Sequence, residues 1–164
     1  MPDMTYCPWC GNRLGTKILE GREYRACVTG TCGYVYWNNP LPVVAAIVEH
    51  DGAVIIARGT GWPANMFGII TGFLEKGESP ADAVLREVRE ELGVAGEVRE
   101  FVGVYPFFQA NQVLLVYHVV AEGTVTLSDE LAEIKHVPRE KLKPWPIGTG
   151  PAVRDWLERI RGKG

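Results

Sequence analysis

Residues 72–94, GFLEKGESPADAVLREVREELGV, constrain the chain more than any other segment. From Ser79 onward they predict a helix. Ser79 is a favourable N-cap, Pro80 suits the first helical position, and Asp82 falls in the first turn. Gly93 supplies the stop. Ala81, Val84, Leu85, Val88 and Leu92 recur at three- and four-residue steps, so they predict one apolar stripe against a core. Glu87, Glu90 and Glu91 stand at i, i+3 and i+4, which gathers three carboxylates on a face roughly opposite that stripe. Like charges at this spacing repel. The trio is either a solvated acidic face or a site for a hard divalent cation, which takes oxygen ligands and turns repulsion into attraction.

The residues before the helix favour the cation. Gly72 opens the loop GFLEKGE, and a glycine there lets the backbone approach a ligand closely. Glu78 and Arg86, eight residues apart, are spaced to pair across loop and helix and hold the loop against the acidic face. Taken together the segment resembles the Nudix box, G-x5-E-x7-R-E-U-x-E-E-x-G-U with U aliphatic. Gly72, Glu78, Arg86, Glu87, Val88, Glu90, Glu91, Gly93 and Val94 fill every fixed position. The resemblance implies a hydrolase that splits a nucleoside diphosphate linked to another group. It also implies that Glu87, Glu90, Glu91 and the Gly72 carbonyl hold Mg²⁺ or Mn²⁺, and that a glutamate deprotonates the water that attacks phosphorus. Nudix proteins often draw one more glutamate from a later segment, here SDELAEIK (residues 128–135). Glu130 and Glu133 are the candidates, with Glu133 preferred, and Glu90 or Glu133 is the expected base.

All four cysteines lie in the first 32 residues, as Cys7, Cys10, Cys27 and Cys32. The pattern C-x2-C-x16-C-x4-C reads as a tetrahedral site with four thiolate ligands, which closes the coordination shell and makes the expected Zn²⁺ structural. The alternatives are two disulfides, disfavoured in a reducing compartment, or four unrelated thiols. The stretch between the pairs predicts a hairpin turning near Glu20 and Gly21. Residues 34–42, YVYWNNPLP, read as a junction broken by two prolines.

Beyond the junction the sequence predicts strands at 43–49, 53–57 and 68–71, then the helix. Further strands are expected at 97–104 and 113–121, a helical turn at 138–142 and a closing helix at 152–160. A loop at 58–67 brings Arg58 and Trp62 forward as contacts for a substrate, or serves as a plain connector. Residues 105–112 gather Tyr105, Phe107, Phe108, Gln109, Asn111 and Gln112, either a base-recognising cluster or a turn with core aromatics. The expected fold class is α/β: the resemblance implies a Nudix α/β/α sandwich with a mixed sheet at residues 37–164, preceded by a zinc ribbon at residues 1–36.

Ribbon and box together resemble the zinc-ribbon subgroup of Nudix hydrolases, which includes FAD and ADP-ribose pyrophosphohydrolases and the NADH pyrophosphatases. The NADH enzymes carry SQPWPFPxS after the box, and this chain has FVGVYPFFQANQ there. The expected substrate is therefore of the FAD or ADP-ribose type, giving AMP and a phosphorylated product. NADH hydrolysis and a ligand-sensing regulator are the alternatives. With 164 residues, a net charge of −3 and no basic run, neither nucleic acid nor membrane is an expected partner. The absence of an apolar leader predicts the cytoplasm. A homodimer is compatible with the resemblance.

Overall fold

Glu20 and Gly21 both take left-handed backbone, with φ of 50° and 76°, which is what a two-residue hairpin turn demands. β1 (Leu14–Leu19) folds back there onto β2 (Arg22–Cys27). β3 (Val35–Tyr36) adds to β2 as a third antiparallel strand. The junction expected at residues 34–42 is thus partly regular, because both Val35–Tyr36 and residues 41–42 find strand partners. The structure is a computed structural model describing residues 4–162, and it divides after Pro40 into two units.

β4 (Leu41–His50) is the spine of the larger unit. Every residue from Val43 to His50 is buried, which explains why the segment reads as a continuous apolar run rather than an alternating one. Alternate side chains feed two cores. Val43, Ala45 and Ile47 pack with Ala152, Val153, Trp156 and Leu157 of α2 (Gly150–Gly162). Val44, Ala46 and Val48 pack with Ala83, Val84, Val88 and Leu92 of α1 (Pro80–Leu92). Because successive strand residues face opposite ways, the two helices cover opposite faces of one sheet.

That sheet has six strands. Its order is β7 (Ala95–Phe107), β8 (Gln112–Glu122), β4, β5 (Ala53–Gly59) and β9 (Leu131–Pro138), with β6 (Ile70–Phe73) also on β4. β4 and β8 run parallel and every other pair antiparallel. One edge of β4 is shared. Its first half takes β6, from Val43↔Phe73 to Ala46↔Ile70, and its last three residues take β5. This places Gly72 opposite Val44, on the sheet beneath α1. No helix among the described residues is long and apolar enough to cross a membrane.

A buried ion network closes the far end of the sheet. Glu49, 5 % exposed, accepts from His118 Nε2 at 2.7 Å and from Arg139 through both Nε and Nη2. Arg139 lies in the short helical turn before α2, so Glu49 fastens that turn to β4. Glu49→Leu leaves the nearly buried His118 without its acceptor. The expected cost is about 2–4 kcal/mol, below that of a fully buried pair because half-exposed Arg139 regains water. Urea unfolding would show it as a lower midpoint at unchanged slope.

Candidate active site

Helix α1 begins as its sequence demands. The Ser79 hydroxyl accepts from the Asp82 N–H at 3.2 Å, Pro80 starts the first turn, and Gly93 ends the helix in left-handed backbone, φ 69°. The buried face comprises Ala83, Val84, Val88 and Leu92, together with Glu91. Here the structure departs from the sequence reading. Only Glu90 faces open solvent; Glu87 is half-buried and Glu91 is 8 % exposed, at the border of the apolar stripe rather than opposite it.

Arg86 organises the loop. It grips Glu78 with two parallel bonds, Nε to Oε2 at 3.1 Å and Nη2 to Oε1 at 2.8 Å, and also donates from Nη2 to the Phe73 carbonyl at 3.1 Å. Its Nη1 donates to Glu87 at 2.7 Å and to Glu90 at 3.0 Å. The Glu75 N–H adds a 2.7 Å bond to Glu78. The Arg86 guanidinium, followed by that N–H, holds the Glu78 carboxyl below its usual range. The planar fork fixes the loop and aims two of the three box carboxylates at once.

The arrangement is rich in negative charge. Burial, first of all, raises the Glu87 carboxyl despite Arg86. Burial and the neighbouring Glu87, Glu130 and Glu90 push Glu91 up to about 8. Among the described residues no lysine or arginine forms an ion pair with Glu91. The Glu87 carboxylate presses on Gly72: a Cβ there would lie 1.8 Å from Glu87 Cδ. Partly buried carboxylates crowded onto a bare backbone form a donor set that suits a hard divalent cation. Gly72→Ala must displace Glu87. Turnover is expected to fall about a hundredfold, on the scale seen when an ordered site is misplaced by an ångström, with far-ultraviolet circular dichroism unchanged.

Of the two later glutamates, the structure brings Glu130 to the box and not Glu133. The segment after β8 caps α1, with the Thr126 N–H donating to the Leu92 carbonyl at 2.8 Å and the Ser128 N–H to the Glu91 carbonyl at 3.0 Å. Thr60 N–H donates to the Glu130 carbonyl at 2.7 Å. Glu130 therefore lines the cleft with Gly72, Arg86, Glu87 and Glu90, and also the cleft with Glu91 and Trp62. Glu133 lies inside β9, in register with Arg58, whose Nε is 3.4 Å from its Oε2. β9 starts at Leu131, between the two glutamates, so Glu130 falls in the segment before the strand and Glu133 within it, a boundary that the sequence pattern does not locate.

These clefts, of about 500 and 400 Å³, adjoin a third of about 540 Å³ walled by Trp62, Phe67, Phe107 and Trp145. Thr71 borders all three. Phe107 ends β7 rather than sitting in a turn, Gln112 opens β8, and Phe108 points into solvent. Trp145 carries no periodic signal in the sequence.

The four cysteines form a separate centre in the first unit. Their sulfurs lie within 4.8 Å of one another and none is in a disulfide, with Cys7 to Cys32 at 3.7 Å and Cys10 to Cys27 at 3.5 Å. Zn–S bonds of about 2.3 Å in a tetrahedron require sulfurs about 3.8 Å apart. The Tyr34 N–H draws the Cys32 thiol down, but burial and the three other thiols push it up to about 12. Four such sulfurs fit Zn²⁺, which favours the thiolate form.

Comparison with known proteins agrees with the geometry. The family model described as "NUDIX domain" matches residues 39–159. The NAD-capped RNA hydrolase NUDT12 of Macaca fascicularis is 32 % identical over 147 residues, covering 84 % of this chain and 31 % of its own length. The NAD-capped RNA hydrolase NudC of Pseudomonas aeruginosa is 28 % identical over 140 residues, covering 84 % of this chain and 50 % of its own. The chain thus spans half or less of these curated relatives. Among solved structures, a NUDIX hydrolase from Nitrosomonas europaea superposes with a TM-score of 0.78 at 21 % identity, covering 97 % of this chain and 93 % of that one. An ADP-ribose pyrophosphatase from Streptococcus suis gives 0.62 at 16 % identity, with coverage of 77 % and 96 %. A match across most of the chain that contains every residue of the box makes this protein a member of the Nudix hydrolase family.

Proposed function

We infer that this chain hydrolyses the pyrophosphate bond of a nucleoside diphosphate joined to a second group, with an NAD-type dinucleotide as substrate. The observation that carries the reading is the crowding of Glu87, Glu91 and Glu130 beside the bare Gly72 backbone. Glu87, Glu90, Glu91 and the Gly72 carbonyl would hold Mg²⁺ or Mn²⁺, whose chemistry there is to offset the diphosphate charge and lower the pKa of a bound water. Arg86 keeps Glu87 and Glu90 in place and Glu78 keeps Arg86 in place. Glu130, with no ion pair among the described residues, is the base we assign: it accepts the water proton as the water oxygen bonds to one phosphorus and the bridging P–O bond breaks. Glu90, tied to Arg86, suits a ligand better than a base. Glu133, paired with Arg58, has neither role.

The names of the curated relatives support the NAD-type substrate over the FAD or ADP-ribose expected from the missing SQPWPFPxS signature. They also bring RNA carrying an NAD cap into the substrate class. The division after Pro40 and the family match from residue 39 support a Zn²⁺ ribbon ahead of a catalytic domain, near the expected boundary at residue 36. Four unlinked thiols suit a reducing compartment such as the cytoplasm. The test is a panel of NADH, NAD-capped RNA, FAD and ADP-ribose with Mg²⁺ or Mn²⁺, products identified by mass. AMP and reduced nicotinamide mononucleotide from NADH is the expected result. AMP from FAD or ADP-ribose alone would restore the other substrate class, and silence across the panel would favour a ligand sensor.

A further inference from the structure

We propose that Trp62 is the stacking wall for a flat heteroaromatic ring of the substrate, held in the apolar cleft beside the box. This rests on the pyrophosphohydrolase reading of the same site. The indole spans two glycines. A Cβ on Gly59 would lie 3.1 Å from its five-membered ring, and one on Gly68 3.7 Å from its six-membered ring. Residues 57 and 68 are locked together by a pair of backbone bonds of 2.8 and 2.9 Å, and the Trp62 N–H donates to the Gly59 carbonyl at 3.1 Å. The ring is therefore seated on rigid backbone, not carried on a free loop. Yet 44 % of its surface stays open.

Its position explains the exposure. Trp62 lines both the cleft that holds Glu91 and Glu130 and the 540 Å³ cavity, so it stands between the reacting phosphates and whatever fills that cavity. The cavity is of ligand size, and its walls add Phe67, Phe107 and Trp145. Asn65 and Gln112 at its margin offer amide donors and acceptors of the kind that read a ring edge. Gln112 also lines the cleft with Glu87, so a diphosphate at the box and a ring in the cavity are neighbours. Aromatic walls with a few amides suit a purine or pyridine ring, whose face stacks and whose edge meets the amides.

The test is equilibrium binding, which does not depend on turnover. The full chain and its W62F and W62L variants are titrated calorimetrically with AMP, with nicotinamide mononucleotide, and with ribose 5-phosphate as the ringless control. Circular dichroism confirms folding. At least one ring-bearing mononucleotide should bind, W62F should retain it, W62L should weaken it about five- to a hundredfold, and ribose 5-phosphate should bind none of the three. In turnover the same loss should fall on KM rather than kcat. Binding by W62L equal to that of the parent chain, equal losses in W62F and W62L, or no binding of either mononucleotide would each overturn the proposal. Mononucleotide binding with the expected pattern but no hydrolysis of any dinucleotide would uphold the stacking wall and sink the hydrolase reading.

Discussion

Glu91→Gln is expected to lower kcat by about a hundredfold or more while raising the stability of the metal-free protein. The two effects have one cause. Burial and three neighbouring carboxylates push the Glu91 carboxyl up to about 8 from an ordinary value of 4.5. A carboxyl raised in this way favours the folded state below its ordinary value, and that contribution drains away as pH rises towards 8. In the presence of a chelator the parent chain should therefore lose melting temperature between about pH 5 and 8, and the glutamine variant should lose less. Mg²⁺ should restore the parent at neutral pH, since a ligand that binds only the folded state stabilises it, and should do little for the variant. Melting curves with and without Mg²⁺, run beside turnover, give both readouts. Near-normal activity in the variant would end the assignment of Glu91 to the metal.

The other large effect is expected from Cys27→Ser. Metal analysis should find one Zn²⁺ per parent chain and none in the variant. In hydrogen exchange, β1, β2 and β3 should lose protection while β4 to α2 keep theirs. The first unit has little else to hold it. Its buried cluster is Cys7, Leu14 and Cys27, so two of three members are themselves candidate Zn²⁺ ligands, with Tyr34, Tyr36 and Met4 half-covered around them. Structural zinc sites bind with apparent free energies of about 10–16 kcal/mol near neutral pH, more than a core this small can supply. Protected β1–β2 amides in a variant without Zn²⁺ would show that the hairpin stands without the metal.

Much of this was legible in the chain itself, where a residue acts on near neighbours. The Ser79 cap, the Pro80 start and the Gly93 stop are local chemistry, and α1 runs between them. Arg86 on the helix and Glu78 in the loop before it are eight residues apart and meet as their spacing allows. The turn at Glu20 and Gly21 is likewise a matter of two residues and their φ angles. The Nudix box is short and contiguous, so the family could be recognised before any fold was known. The remainder depended on contacts between distant segments. The parallel pairing of β4 with β8 joins residues about seventy positions apart, and no local pattern announces it. That pairing, with β6 on the other edge, sets Gly72 under Glu87. The depth of Glu91 also depends on what lies against the helix, since helical spacing alone puts all three glutamates on one polar face. The choice of Glu130 over Glu133 turned on where β9 begins and on Thr126 and Ser128 capping α1. Sequence spacing determined which residues share an element; only tertiary structure decided which carboxylates share a site, because burial and charge crowding arise between elements.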